Sequence, residues 1–194
     1  MTDPSARESE IPFSLVQDML YIVLISIAVV IVLFLVIVSM QSAEFRVTRT
    51  TTIAAPASVI FPHVNDLHNW KAWSPWAKLD PNMKETHEGA PAGVDASYHW
   101  VGNSKVGEGR MTIIESNPDE RIRIRLDFLK PFKSTNTAEF TFQPQGNQTL
   151  VTWNMTGGKN FMCKAFSLVM NMDKMVGGDF EKGLAGMKSL VEAQ

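Results

Sequence analysis

Apolar residues follow three different patterns along this chain. From Met19 to Met40 they are almost continuous: MLYIVLISIAVVIVLFLVIVSM carries no charge over about 22 positions, enough for a helix to cross a hydrocarbon core of about 30 Å. From Phe45 to Thr156 they alternate with polar residues in short runs, the period of half-buried strands. From Lys159 to the end they recur every three or four positions, the period of an amphipathic helix.

Several runs in the middle zone are unambiguous. RIRIRLDF sets Ile122, Ile124, Leu126 and Phe128 against Arg121, Arg123, Arg125 and Asp127, so one face of that strand is dry and the other wet. Ser134 to Gln143 puts Ala138, Phe140 and Phe142 on its inner side, with Ser134 and Asn136 in the same register. Leu150 to Thr156 does the same with Val151, Trp153 and Met155, and Gln145-Gly146-Asn147 forms the hairpin between them. Phe45 to Ala55, Met83 to Glu88, Ala96 to Val101 and Val106 to Glu115 complete the set, with Tyr98 and Trp100 inward in the third of these. After the first strand, Ala55-Pro56-Ala57-Ser58 opens a short helix that Pro62 limits. A second short piece follows, with Trp70, Trp73 and Trp76 at a spacing of three. They read either as a satellite apolar cluster or as an aromatic lip, to a cavity or to a bilayer surface.

In the last zone Met162, Phe166, Val169, Val176, Phe180, Leu184, Met187 and Val191 form one stripe, widened over its first half by Phe161, Ala165, Leu168, Met172 and Met175. One long helix is expected, bent at Gly177-Gly178, with its Met-rich first half, Met170 included, beside a cavity and its second half as plain core. A run of hairpins with a single dry face needs a cover, and this helix is the long apolar one available. The expected class is α+β: a helix-grip fold, in which a curved antiparallel sheet wraps a long C-terminal helix.

The organisation expected is a disordered tail over 1–18, a transmembrane helix over 19–41 and one ligand-binding domain over 45–194. A cleavable signal fits less well, because the apolar run is long, the leader holds four acidic residues against Arg7, and no small-x-small site follows. Arg7 on one side and Arg46 with Arg49 on the other leave the side of the membrane undetermined.

Composition narrows the chemistry. A net charge of -2 argues against nucleic acid as a partner. The single cysteine, Cys163, excludes a disulfide framework, and its place beside the apolar rows predicts a buried, inert thiol. His63, His68, His87 and His99 are scattered, with no metal-binding spacing, and no nucleophile elbow or phosphate loop appears. Neither metal nor cofactor is expected. Asp173 sits at the edge of the helical stripe, where a charge must pair or point at a cavity mouth.

The order of elements, together with APASVIFPHVNDLHNWKAWSPW, VGEG at Val106 to Gly109, LKPFKSTNTAEFTFQP, TLVTWNM and MDKMVGGDFEKGL, resembles the START-like, helix-grip (SRPBCC) superfamily. Within it the likeness is to the polyketide cyclase/dehydrase and lipid-transport group, over about Phe45 to Val191. The resemblance implies a cavity between sheet and terminal helix for a lipid or other hydrophobic small molecule, and the apolar run from Met19 to Met40 adds the membrane as a second partner. The cavity candidates are Trp70, Trp73, Trp76, Tyr98, Trp100, Ser134, Asn136, Phe140, Phe142, Trp153, Met162, Phe166, Met170 and Asp173. The alternatives are a cyclase- or dehydratase-type enzyme working through Asp173 or Glu115, and a protein-interaction module using the tryptophan-rich segment.

Overall fold

The computed structural model describes residues 13–168 and 172–193, which separate into two compact units, Met1–Gln41 and Ser42–Gln194. The first holds one helix, α1 (Phe13–Met40). Within it Gln17–Met40 is long and apolar enough to cross a membrane. The helix begins six residues before the apolar run, so the tail expected over 1–18 is helical from Phe13, and its remainder lies outside the described residues.

The second unit is a seven-stranded antiparallel sheet in the order β1-β7-β6-β5-β4-β3-β2. The strands are β1 (Glu44–Ile53), β2 (Lys84–Gly89), β3 (Ala96–Val101), β4 (Glu108–Asn117), β5 (Arg121–Lys130), β6 (Ser134–Gln145) and β7 (Gln148–Gly158). Strands β2 to β7 follow one another as hairpins. The chain crosses from one sheet edge to the other just once, between β1 and β2, through α2 (Ala57–Ile60), α3 (Pro62–Asn65), a 3-10 turn, α4 (Trp70–Trp73) and a second 3-10 turn. Pro62 opens α3, where its missing N–H costs nothing, and this divides the segment.

The dry face is the one the alternation foretold. Val47, Ile53, Ile113, Ile122, Ile124, Phe140, Val151 and Trp153 are all buried to 2 % exposure or less. On the outer face the arginines of β5 pair with carboxylates: Arg121 and Arg123 with Glu115, Arg123 also with Glu139, and Arg125 with Asp127 at 2.8 Å. Glu115 is thus an outer-face residue, and Arg121 holds its carboxyl below the usual range.

The terminal segment departs from the single bent helix. It forms α5 (Phe161–Ser167) and, after residues 168–171, α6 (Met172–Glu192). Phe180, Leu184, Met187 and Val191 of α6 are buried on the sheet, and the Phe180 ring stacks on Trp153 with centroids 4.0 Å apart and planes 5° from parallel. By contrast, no residue of α5 is buried. Gly177-Gly178 lies inside α6. A Cβ at Gly177 would overlap the Arg49 guanidinium, which reaches up from β1 to bond Asp173 at 3.0 Å and Glu181 at 2.6 Å. Gly177 therefore makes room for an ion pair between sheet and helix.

The two glycines separate these roles. Gly178 has nothing within 4 Å of a built Cβ, so Gly178→Ala is expected to stabilise the domain by about 1 kcal/mol through helix propensity. Gly177→Ala is expected to give no such gain, because a Cβ there displaces Arg49 from its hydrogen bonds to Asp173 and Glu181. Denaturant unfolding of the two variants measures the difference.

Candidate functional site

Register aligns inner-face residues into rows running across the sheet. One row takes a residue from every strand: Phe45, Gly157, Asn136, Leu126, Met111, Tyr98 and His87, each paired with the next. The adjacent row toward the sheet interior, Val47, Met155, Ala138, Ile124, Ile113 and Ala96, is apolar and buried throughout. The seven-strand row is different. Phe45, Leu126 and Tyr98 are only partly buried, and the row mixes apolar groups with an amide, a phenol and an imidazole.

Two of its polar atoms lack partners. Asn136 is 6 % exposed, yet its Oδ1 has no hydrogen bond, and neither has the buried Nδ1 of His87. Leaving such an atom dry and unpaired costs about 1–3 kcal/mol. Gly157 is what lets the amide sit there, because a Cβ at that position would overlap Asn136 Oδ1 and come within 2.7 Å of the Phe45 ring.

At the β2 end of the row the groups are ionisable. His68, from the 3-10 turn Leu67–Asn69, stacks on His87 at 3.9 Å and meets Asp66 through Nδ1 at 2.7 Å. His87 in turn lies 5.1 Å from the Tyr98 ring. Burial, followed by the charge and hydrogen bond of Glu85, pushes the Tyr98 hydroxyl well above its usual range. Burial, then the neighbouring His68, lowers the His87 imidazole. This end of the row offers hydrogen-bonding groups in a half-dry setting.

The candidates read from sequence are distributed unevenly about this row. Asn136 and Tyr98 belong to it, and Trp100, with its Nε1 donating to the Val106 carbonyl at 3.4 Å, stands beside it. Phe140, Phe142 and Trp153 are core residues on the far side of the apolar row. Trp70 and Trp73 are core as well, and form neither a lip nor an exposed contact surface: their indoles donate to the carbonyls of Val64 and His63 at 3.0 and 2.9 Å. Trp76 is partly buried against Trp153 and Phe180. Ser134 is exposed, on an open surface groove of about 420 Å³ with Arg110, Asp127, Leu129 and Lys133.

The terminal segment supplies less of the site than its stripe suggested. Met162 and Phe166 are exposed, and so is Cys163, which had been expected inside. The three- and four-residue period fixed only which side chains share a face, and α5 presents that face to the surface. Met170 lies outside the described residues. Asp173 is half exposed, and the hydrogen bond from Arg49 lowers its carboxyl. With Glu115 likewise lowered, neither carboxylate has the raised affinity that proton transfer near neutrality requires.

Phe45, Leu126 and His87 were missed. The alternation in Lys84 to Glu88 already placed Glu85 and His87 on one face, but only the pairing of β2 with β3 sets them beside Tyr98.

A curved antiparallel sheet closed by a C-terminal helix defines the helix-grip class. The sequence profile described as polyketide cyclase/dehydrase and lipid transport matches residues 44–192, and the chain belongs to that family. No curated protein matches the chain significantly. Among solved structures, protein CV1439 of Chromobacterium violaceum is similar at 15 % identity and a TM-score of 0.55, over 78 % of this chain and 99 % of its own. Protein Ms6760 of Mycobacterium smegmatis is similar at 18 % and 0.53, over 76 % and 91 %. The Aha1 dimer of Colwellia psychrerythraea is similar at 14 % and 0.51, over 77 % and 95 %. At such identities the likeness is one of fold.

The lowered His87 affinity carries a pH dependence. Unfolding restores its ordinary value of 6.5, so the unfolded chain binds the proton more tightly than the native one. Stability is therefore complete above about pH 6.5 and declines as pH falls through and below that value. His63, lowered by burial, acts in the same direction. His87→Phe is expected to flatten this acid limb in thermal unfolding followed from about pH 7.5 to 5.

Proposed function

We propose that this protein is a membrane-anchored binding domain that holds a hydrophobic or lipid-like molecule between its sheet and C-terminal helix, against the seven-strand row. The observation that carries the reading is the unpartnered Asn136 amide oxygen in a half-covered apolar row. A binding floor needs apolar surface for affinity and a few polar groups for orientation, and this row combines Phe45, Leu126 and Met111 with Asn136, Tyr98 and His87. The ligand fitting that mixture is amphipathic. Its chain would lie over Leu126 and Phe45, and a polar end would donate to Asn136 or meet the Tyr98–His87 group. Family membership supports the same reading, since the family is one of hydrophobic small-molecule binding. The length and apolarity of Gln17–Met40 support the anchor.

Photo-crosslinking tests the reading on the full chain in membranes. A diazirine-bearing fatty acid is expected to label peptides containing Leu126, Asn136 and Met155, as mapped by mass spectrometry. Asn136→Leu, which removes the unpaired oxygen and narrows the floor, is expected to cut that labelling several-fold without lowering the unfolding midpoint. Labelling confined to residues 17–40 would defeat the proposal.

A further inference from the structure

Strand direction alternates across the sheet, so one end collects the start of β1, the end of β7, the start of β6 and the end of β5. Asn136 and Gly157 are register partners on neighbouring strands. Four residues before the first stands Phe132; four residues after the second stands Phe161. Both therefore overhang the same end. Phe132, Phe161, Met162 and Phe166 are 49–81 % exposed, and Leu129 and Leu168 accompany them at 38 and 40 %. The other exposed large apolar residues of this unit include Val59, Val94 and Ile114, which lie elsewhere as isolated side chains. Isolated exposure is ordinary, whereas a cluster of aromatic and methionine side chains at one end is not.

Three further features identify what covers the cluster. Helix α5 has no buried residue, although Asn160 caps it by accepting from the Cys163 N–H at 2.8 Å. Its Phe161, Met162 and Phe166 side chains keep about half or more of their surface exposed. Lys133, Lys159 and Lys164 surround the apolar groups, and none has a carboxylate partner among the described residues. Finally, β1 begins at this end with Glu44, only three residues after α1 stops at Met40. Four Cα steps reach at most about 14 Å. Wherever a bilayer holds Met40, it holds Glu44, the first residue of β1, within that distance.

We infer that this end of the domain, the 131–133 loop together with α5, is a docking surface for the lipid bilayer that carries α1. Phe132, Phe161, Met162 and Phe166 enter the headgroup–acyl boundary, and Lys133, Lys159 and Lys164 meet anionic headgroups. Aromatic and long apolar side chains ringed by lysine form the composition of an interfacial anchor. The inference rests on α1 being a membrane span, and it adds that the seven-strand row opens toward the lipid phase, since Phe45, Asn136 and Leu126 lie at the same end.

The exposed Cys163 on α5 supplies the probe site. Full-length protein is reconstituted in phosphatidylcholine vesicles with and without phosphatidylglycerol, and a small fluorophore on Cys163 is quenched by lipids spin-labelled near the headgroup. Asn147→Cys in a Cys163→Ser background puts the same fluorophore on the β6–β7 hairpin at the opposite end. Docking predicts at least twofold stronger quenching at 163 than at 147. It also predicts further strengthening with phosphatidylglycerol, and loss of the difference in Phe132→Asp/Phe166→Asp. Equal quenching at the two sites, in protein that still floats with vesicles after carbonate washing, would overturn the docking and leave the anchor standing. Protein released by carbonate would overturn both.

Discussion

The indole of Trp153 and the ring of Phe180 lie face to face where β7, the strand beside edge strand β1, meets α6. Around this stack Phe140, Trp73 and Trp76 pack against Trp153, the last two edge-on. Burying a ring of this size contributes about 1.5–3 kcal/mol, and an aromatic pair adds about 1 more. Among the described residues of this unit no other helix has comparable length to cover the dry face, so this contact settles where α6 lies. Met187 and Val191 then follow toward one end of the sheet, and the Arg49 pair follows toward the other. The space around this stack is filled, and burial thins out at the row toward one end of the strands.

That row has a chemistry unlike its neighbour. Moving one pleat along the strands exchanges a dry row of Val47, Ala138 and Ile124 for one containing Asn136, Tyr98 and His87. A folding domain gains nothing from an amide oxygen left without a donor, and a valine of similar size would avoid the penalty. Such an arrangement is expected where selection acts on something besides stability. The depressed His87 and elevated Tyr98 affinities belong to the same half-dry environment.

How much of this was legible beforehand depends on the range of the interactions. Strand period and turn chemistry are local, so RIRIRLDF and the Gln145-Gly146-Asn147 hairpin were read correctly, and with them the helix-grip class. The same locality misled at the end of the chain. Met162 and Phe166 have the spacing of core residues, but period cannot distinguish a face turned to a sheet from one turned outward, and Cys163 went with them. Gly177-Gly178 looked like a hinge because glycine is flexible, whereas the requirement comes from Arg49, more than a hundred positions earlier. The row itself draws one residue from each of seven strands, so no contiguous motif could encode it.

The connection between the two units has a consequence for traffic. With α1 in a bilayer, a reach of about 14 Å is less than half the thickness of that bilayer's hydrocarbon core. A domain so confined is no ferry between separate membranes. It meets its own membrane continuously, at an effective concentration set by the linker and not by expression level. Under the proposed function, cargo would be exchanged laterally with that one lipid surface, or handed to a partner that comes to it.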